Sequence, residues 1–220
     1  MDKKKQDKMM CILLISVIIF VILAIIRIKS GPKYNQELID EINYSYDSMV
    51  KNNENIDIYE TENIIVVDNK KDDKDKKNPT HMSITIDNKI YKIIGKIVIE
   101  KINIEYPIIS ETTDEYLKLA PTKICGPVIN TVGNLCIAGH NYLNGKLFSN
   151  LNNLNKGDKV KLIDNNNKLL EYVVYDKYTS DENDVSCLSQ DIGFEKEVTL
   201  ITCINNSSKR LIVKCRAEEF

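Results

Sequence analysis

The chain has 220 residues, enough for one ordinary domain of roughly 100–200 residues with flanking segments. Its formal net charge is −2 and its charged residues, 28% of the total, are spread along the chain, so no basic surface points to a nucleic-acid partner. With 43% hydrophobic residues the composition is globular and excludes a wholly disordered chain.

The first predicted element is apolar. Met9–Ile26 reads MMCILLISVIIFVILAII, without a charge and with Ser16 as its one polar side chain. At about 1.5 Å per residue such a helix is just long enough to cross a hydrocarbon core of about 30 Å. A cleaved signal peptide needs a shorter apolar stretch and a small-x-small site. Here Ala24 is followed by Ile25, Ile26 and Arg27. The reading is therefore a single uncleaved signal anchor over 9–28, after a short cytoplasmic segment 1–8. Lys3, Lys4, Lys5 and Lys8 precede the run, against Arg27, Lys29 and Lys33 after it. That slight bias favours a cytoplasmic N-terminus and a domain outside the cell.

Residues 29–83 read as stalk and linker. Leu38, Ile39, Ile42 and Tyr46 fall at helical spacing and predict a marginal amphipathic helix. Residues 68–80, DNKKDDKDKKNPT, are too polar to fold by burial and read as a linker or exposed loop. The folded domain is expected over 84–220. Lys92–Ser110 is dense in Ile and Val and suits two strands. A short helix is predicted over Thr113–Ala120, stopped by Pro121. Gly133–His140 should be a buried strand, and Leu147–Leu154 a helical turn. Gly157-Asp158 turns into a strand at Lys159–Ile163, and the polar break Asp164–Asn167 leads to Leu169–Tyr178. A polar connection over 179–196 precedes two last strands, Val198–Cys203 and Arg210–Cys215. About eight strands in one small domain predict an all-β fold closed into a barrel, because closure removes exposed edges.

Six cysteines are present, Cys11, Cys125, Cys136, Cys187, Cys203 and Cys215, with no CxxC pair. With only His81 and His140 to help, no zinc spacing emerges. Five of the six fall after the apolar run, an odd number that leaves at least one thiol free. Cys203 ends the apolar strand VTLITC where the chain turns polar, which gives partial exposure. Cys136 and Cys215 lie inside strands, where a structural role is the commoner fate. A reactive thiolate needs a nearby base or cation. His140 also closes an apolar strand. Arg210 opens the strand after Cys203, and a hairpin between them brings the guanidinium near the thiol, where it can stabilise an oxyanion.

Together GNLCIAGHN around His140, VTLITC at Cys203 and KRLIV at Arg210 resemble the three signature blocks of the sortase family. IGKIVIEKINIEYPI and LFSNLNNLNKGDKV fit the same pattern, so the resemblance covers about Ile90 to Arg216. It implies an extracellular, N-terminally anchored cysteine transpeptidase with an eight-stranded β-barrel. By the same resemblance Cys203 attacks the backbone carbonyl of an LPxTG-like sorting signal. His140 protonates the leaving amine and activates the incoming one, from a cell-wall precursor or a pilin lysine. Arg210 holds the substrate and stabilises the oxyanion, and Thr202 is a secondary candidate for oxyanion or substrate contact. No Asp-Pro-aromatic lid motif and no long helical insertion is present, so class A or class D-like groups resemble the chain more than the pilin-polymerising or haem-uptake types. No cofactor is required. The acidic run Asp181-Glu182-Asn183-Asp184 is noted as a calcium candidate against the commoner reading of a solvated loop. Two rival readings remain open at this point: a cysteine hydrolase delivering the acyl group to water, and an anchored binding domain without catalysis.

Overall fold

The structure is a computed structural model that describes residues 36–51, 65–66, 81–142, 145–193, 195–204 and 208–218. The predicted anchor over 9–28 lies outside these residues. Among the described residues no helix is long and apolar enough to cross a membrane.

A helix, α1 (36–51), precedes ten strands. These are β1 (Ile65–Val66), β2 (Met82–Ile86), β3 (Lys89–Ile99), β4 (Ile104–Ile109), β5 (Thr122–Cys125), β6 (Gly133–Ala138), β7 (Lys159–Asp164), β8 (Leu169–Asp181), β9 (Lys196–Cys203) and β10 (Lys209–Ala217). Their order in the sheet is β1-β2-β3-β4-β5-β6-β9-β10-β8-β7, and a further pairing of β3 with β7 closes the ring. Eight strands, β3 to β10, therefore form the closed barrel, while β1 and β2 extend it from β3. The eleven-residue length of β3 permits this. Its first half pairs with β2, and Gly95–Val98 pairs with β4 on one side and β7 on the other. Closure satisfies backbone groups that an open edge would leave exposed.

Alternation along the strands fills the interior. Ile97, Ile99, Ile108, Leu135, Ile137, Val198, Leu200, Leu211 and Val213 belong to one buried cluster. Each such side chain contributes about 1.5–3 kcal/mol on burial. The stretch expected as stalk and linker takes part in the fold: Ile42 and Tyr46 of α1 are buried, and Asp47 pairs with Lys96 of β3 at 2.7 Å. The sheet begins before the expected boundary at 84, since β2 starts at Met82.

The outer face of β9 and β10 carries a buried acid. The Glu197 side chain is 2% exposed and meets Lys214 at 3.3 Å and Arg216 at 3.0 Å, while the Tyr175 hydroxyl donates to it at 3.1 Å. Removing one partner from such a cluster leaves the others desolvated and unpaired. Glu197→Ala is expected to lower unfolding free energy by about 3 kcal/mol in chemical denaturation, with the folded-state spectrum retained. A change within about 0.5 kcal/mol, the level of an ordinary surface substitution, would show the network to be energetically idle.

Candidate active site

Four neighbouring strands, β6, β9, β10 and β8, bring the chemistry together. β6 and β9 run parallel with Ala138 beside Ile201, and the Gly139 N–H donates to the Ile201 carbonyl at 3.0 Å, which carries the register past the end of β6. His140 follows next in the chain, and the residue after it, Asn141, bonds the Cys203 carbonyl, so the histidine segment runs beside the end of β9. Cys203 pairs directly with Arg210 across the β9–β10 hairpin, and Arg210 pairs with Ser180 of β8. Residues that pair side by side share a face of the sheet, with neighbouring strands about 4.8 Å apart. Cys203, Arg210 and Ser180 thus form one row across the outer face, with His140 on the segment that follows β6. The row beneath it is Ala138, Ile201, Ile212 and Tyr178, of which Ile201, Ile212 and Tyr178 pack with Cys187 and Leu188.

The sequence folds this way locally because the turn after β6 is tightly packed. A Cβ added at Gly139 would stand 2.5 Å from the buried Phe148 ring, so only glycine lets the chain pass. The Phe148 N–H donates to the His140 carbonyl at 3.0 Å, and the Tyr142 N–H to the Ser149 hydroxyl at 3.1 Å. Asn141 Nδ2 donates to the Cys203 carbonyl at 3.0 Å, tying the histidine segment to the end of β9. Thr202 behaves differently from its neighbours. It is buried, 4% exposed, and its hydroxyl donates to the Gly139 carbonyl at 2.7 Å. It therefore sits on the barrel side of β9 as a tie between strands, away from the row that holds Cys203.

His140, Cys203 and Arg210 are each partly exposed, open to a ligand on this face. The His140 ring lies 4.8 Å from that of Tyr142 at a tilt of 51°. Burial, aided by the Lys118 ammonium and opposed by Asp114, pushes the imidazole below its ordinary pKa. It is neutral at physiological pH and able to accept a proton. Arg210 Nη2 meets Glu182 Oε2 at 3.1 Å. Asn141, Tyr142 and Glu182 are the contributors that motif reading missed. Asn141 adjoins His140 in the quoted block, but nothing in its residue type specified a bond to a carbonyl 62 residues away.

The acidic run Asp181–Asp184 at the end of β8 does not converge. Asp181 accepts from the Asn183 N–H at 3.0 Å, Asp184 from the Ser186 N–H at 2.9 Å, and Glu182 turns to Arg210. Among the described residues no cluster of three or more His, Cys, Asp or Glu side chains could hold a metal ion.

A half-buried thiol and a guanidinium paired across a hairpin, with a neutral imidazole on the adjoining segment, mark this face of the barrel as a candidate active site. The sortase-domain family model matches residues 97–218, more than half of the chain and all of these residues, and the chain belongs to the sortase family. Over 127 residues it is 35% identical to Sortase A of Bacillus anthracis, a match covering 56% of this chain and 58% of that relative. Among solved structures, sortase A of Listeria monocytogenes superposes with a TM-score of 0.54 at 26% identity, covering 58% of this chain and 88% of that one. The Clostridium perfringens Sortase D5 transpeptidase gives 0.53 at 29% identity, covering 58% and 79%.

Proposed function

We propose that this chain is a membrane-anchored cysteine transpeptidase that cuts an LPxTG-like sorting signal and passes the acyl group to an amine. The observation that supports it most is the pairing of Cys203 with Arg210 across the β9–β10 hairpin, beside the His140 segment that Asn141 ties to the Cys203 carbonyl. In this reading the Cys203 sulfur attacks the scissile carbonyl as neutral His140 takes its proton. The imidazolium returns that proton to the leaving amine, which leaves a thioester on Cys203. An incoming amine, from a cell-wall precursor or a pilin lysine, gives up a proton to His140 and releases the enzyme. Arg210 donates to the carbonyl oxygen as negative charge develops there. The apolar run Met9–Ile26 and its lysine flank support a single-pass anchor with the N-terminus in the cytoplasm and the barrel outside. Both the 35% identity to a Sortase A and the missing lid motif favour the class A or class D-like groups.

Incubating the protein with a sorting-signal peptide, with and without an added amine, tests the reaction. Amide product with the amine is expected. Hydrolysed peptide alone at saturating amine would make the chain a hydrolase, and no turnover with any signal peptide would make it a binding domain.

Glu182 supplies a finer test. As a half-exposed pair it holds the Arg210 fork in place at a gain of at most about 1 kcal/mol. Glu182→Gln is expected to lower kcat/KM about 3–5-fold and to flatten its dependence on salt. Unchanged kcat/KM across ionic strengths would remove Glu182 from the account.

A further inference from the structure

A second group of thiols lies four residues along the strands from Cys203. Cys125 of β5 and Cys136 of β6 are direct partners across an antiparallel pair, just past an irregularity in its register, and the Cys136 thiol donates to the Asn134 carbonyl at 3.7 Å. Cys187, in the turn that covers this face, is close by: its carbonyl accepts from Asn134 Nδ2 at 3.0 Å. All three are free. Opposed residues on antiparallel strands have Cα atoms about 4.5–5.5 Å apart. That falls inside the disulfide window of about 4.4–6.8 Å. The strands are also held close here. Gly126, at φ +104°, lets the chain approach so tightly that a Cβ would strike the Asn134 carbonyl. Cys203 cannot substitute as a partner. Cys136 pairs with Thr199, and the four residues from Thr199 to Cys203 span roughly 13 Å of strand. Cys215 points into the barrel core.

We propose that Cys125 and Cys136 are a redox-responsive site, a reversible cross-strand disulfide that fixes β5 to β6 beneath the candidate active site. Nothing in it depends on the acyl-transfer reading. The half-buried Cys125 is the thiol that an external oxidant reaches, whereas Cys136 is fully buried. With a small disulfide R–S–S–R as oxidant, the Cys125 thiolate attacks one sulfur and expels R–S⁻. Cys136 then attacks the Cys125 sulfur of the mixed disulfide, expels a second R–S⁻ and gives its proton to solvent. Two protein thiols and one small disulfide become one protein disulfide and two small thiols. Burial holds the Cys136 thiol above its ordinary pKa, which leaves the half-buried Cys125 as the first of the two to react.

The test uses the full chain carrying Cys203→Ala, so that the nucleophile candidate takes no part. It is treated with oxidised glutathione, cut after Leu135 under non-reducing conditions and mapped by mass spectrometry. Expected is a fragment pair joined through Cys125 and Cys136, two hydrogen masses lighter than the reduced sum, which dithiothreitol separates. The oxidised protein should unfold at a higher denaturant midpoint than the reduced one. A link between Cys136 and Cys187, glutathione held permanently on Cys125, or no reaction would each overturn the proposal. With Cys125→Ser added, Cys136 should remain unmodified; glutathione on Cys136 in that variant would overturn the assignment of Cys125 as the first to react.

Discussion

Cys203→Ala is expected to leave a folded barrel that forms no covalent adduct with a sorting-signal peptide and turns it over at background rate. The fold should tolerate the change because Cys203 stands at the end of β9 on the partly exposed outer face, outside the interior cluster that holds the barrel together. Its neighbours in the strand pairing are backbone contacts, which alanine keeps. Covalent catalysis, by contrast, has no substitute for the sulfur among the described cysteines. Cys136, Cys187 and Cys215 are buried, with burial raising the thiol pKa of each. Cys125 lies two strands from β9. Loss of turnover together with an unchanged denaturation midpoint separates a chemical role from a structural one. Retained turnover would move the nucleophile elsewhere.

The second large effect concerns His140. His140→Ala is expected to reduce kcat/KM by roughly 10²–10⁴-fold, the usual contribution of a positioned proton-transfer group. The same residue sets the acid limb of the pH profile. Its folded-state pKa lies below the ordinary value of about 6.5, mainly through burial and next through Lys118. In the proposed mechanism neutral imidazole is the active form, so activity should persist below pH 6.5 and fall only as pH passes the lowered folded value. Stability carries the same sign. Between the two pKa values the unfolded chain binds more protons than the folded one, so stability decreases as pH drops through that window. Lys118→Gln removes a cation that disfavours the imidazolium and should move the acid limb to higher pH. A profile unmoved by this change, with its limb at or above pH 6.5, would contradict the placement of His140.

Much of this was legible in the residues. Apolar runs and turn signals located β3, β4, β6, β7, β8, β9 and β10, and about eight strands in one small domain correctly implied closure into a barrel. The spacing of Ile39, Ile42 and Tyr46 indicated a helix, which the structure shows at 36–51. What periodicity could not give was partnership. β5 escaped notice because four residues, TKIC, between a proline and a glycine carry no pattern; it exists through its pairing with β6. β8 runs on to Asp181, beyond the expected Tyr178, because β10 pairs along its whole length and rewards extension of a polar segment. The assignment of Thr202 beside the nucleophile followed chain order, whereas strand alternation turns neighbouring side chains to opposite faces. Glu182 looked like one acid among several, and only the end-to-end pairing of β8 with β10 brings it to Arg210.

Sequence adjacency therefore points to candidate reacting groups and not to what holds them in place. Asn141 and Gly139 are cases in point, each tied to a strand more than 60 residues on by a hydrogen bond. The chemistry of a thiol, an imidazole and a guanidinium can be recognised one residue at a time. The support for that chemistry depends on register.

The most direct measurement is intact-protein mass spectrometry of the protein mixed with a library of LPxTG-like peptides and no amine, followed by digestion to locate the adduct. The account predicts an added mass equal to the peptide portion before the scissile bond, carried on Cys203 and discharged when an amine is supplied. No adduct with any peptide, or an adduct that forms equally on Cys203→Ala, would contradict it.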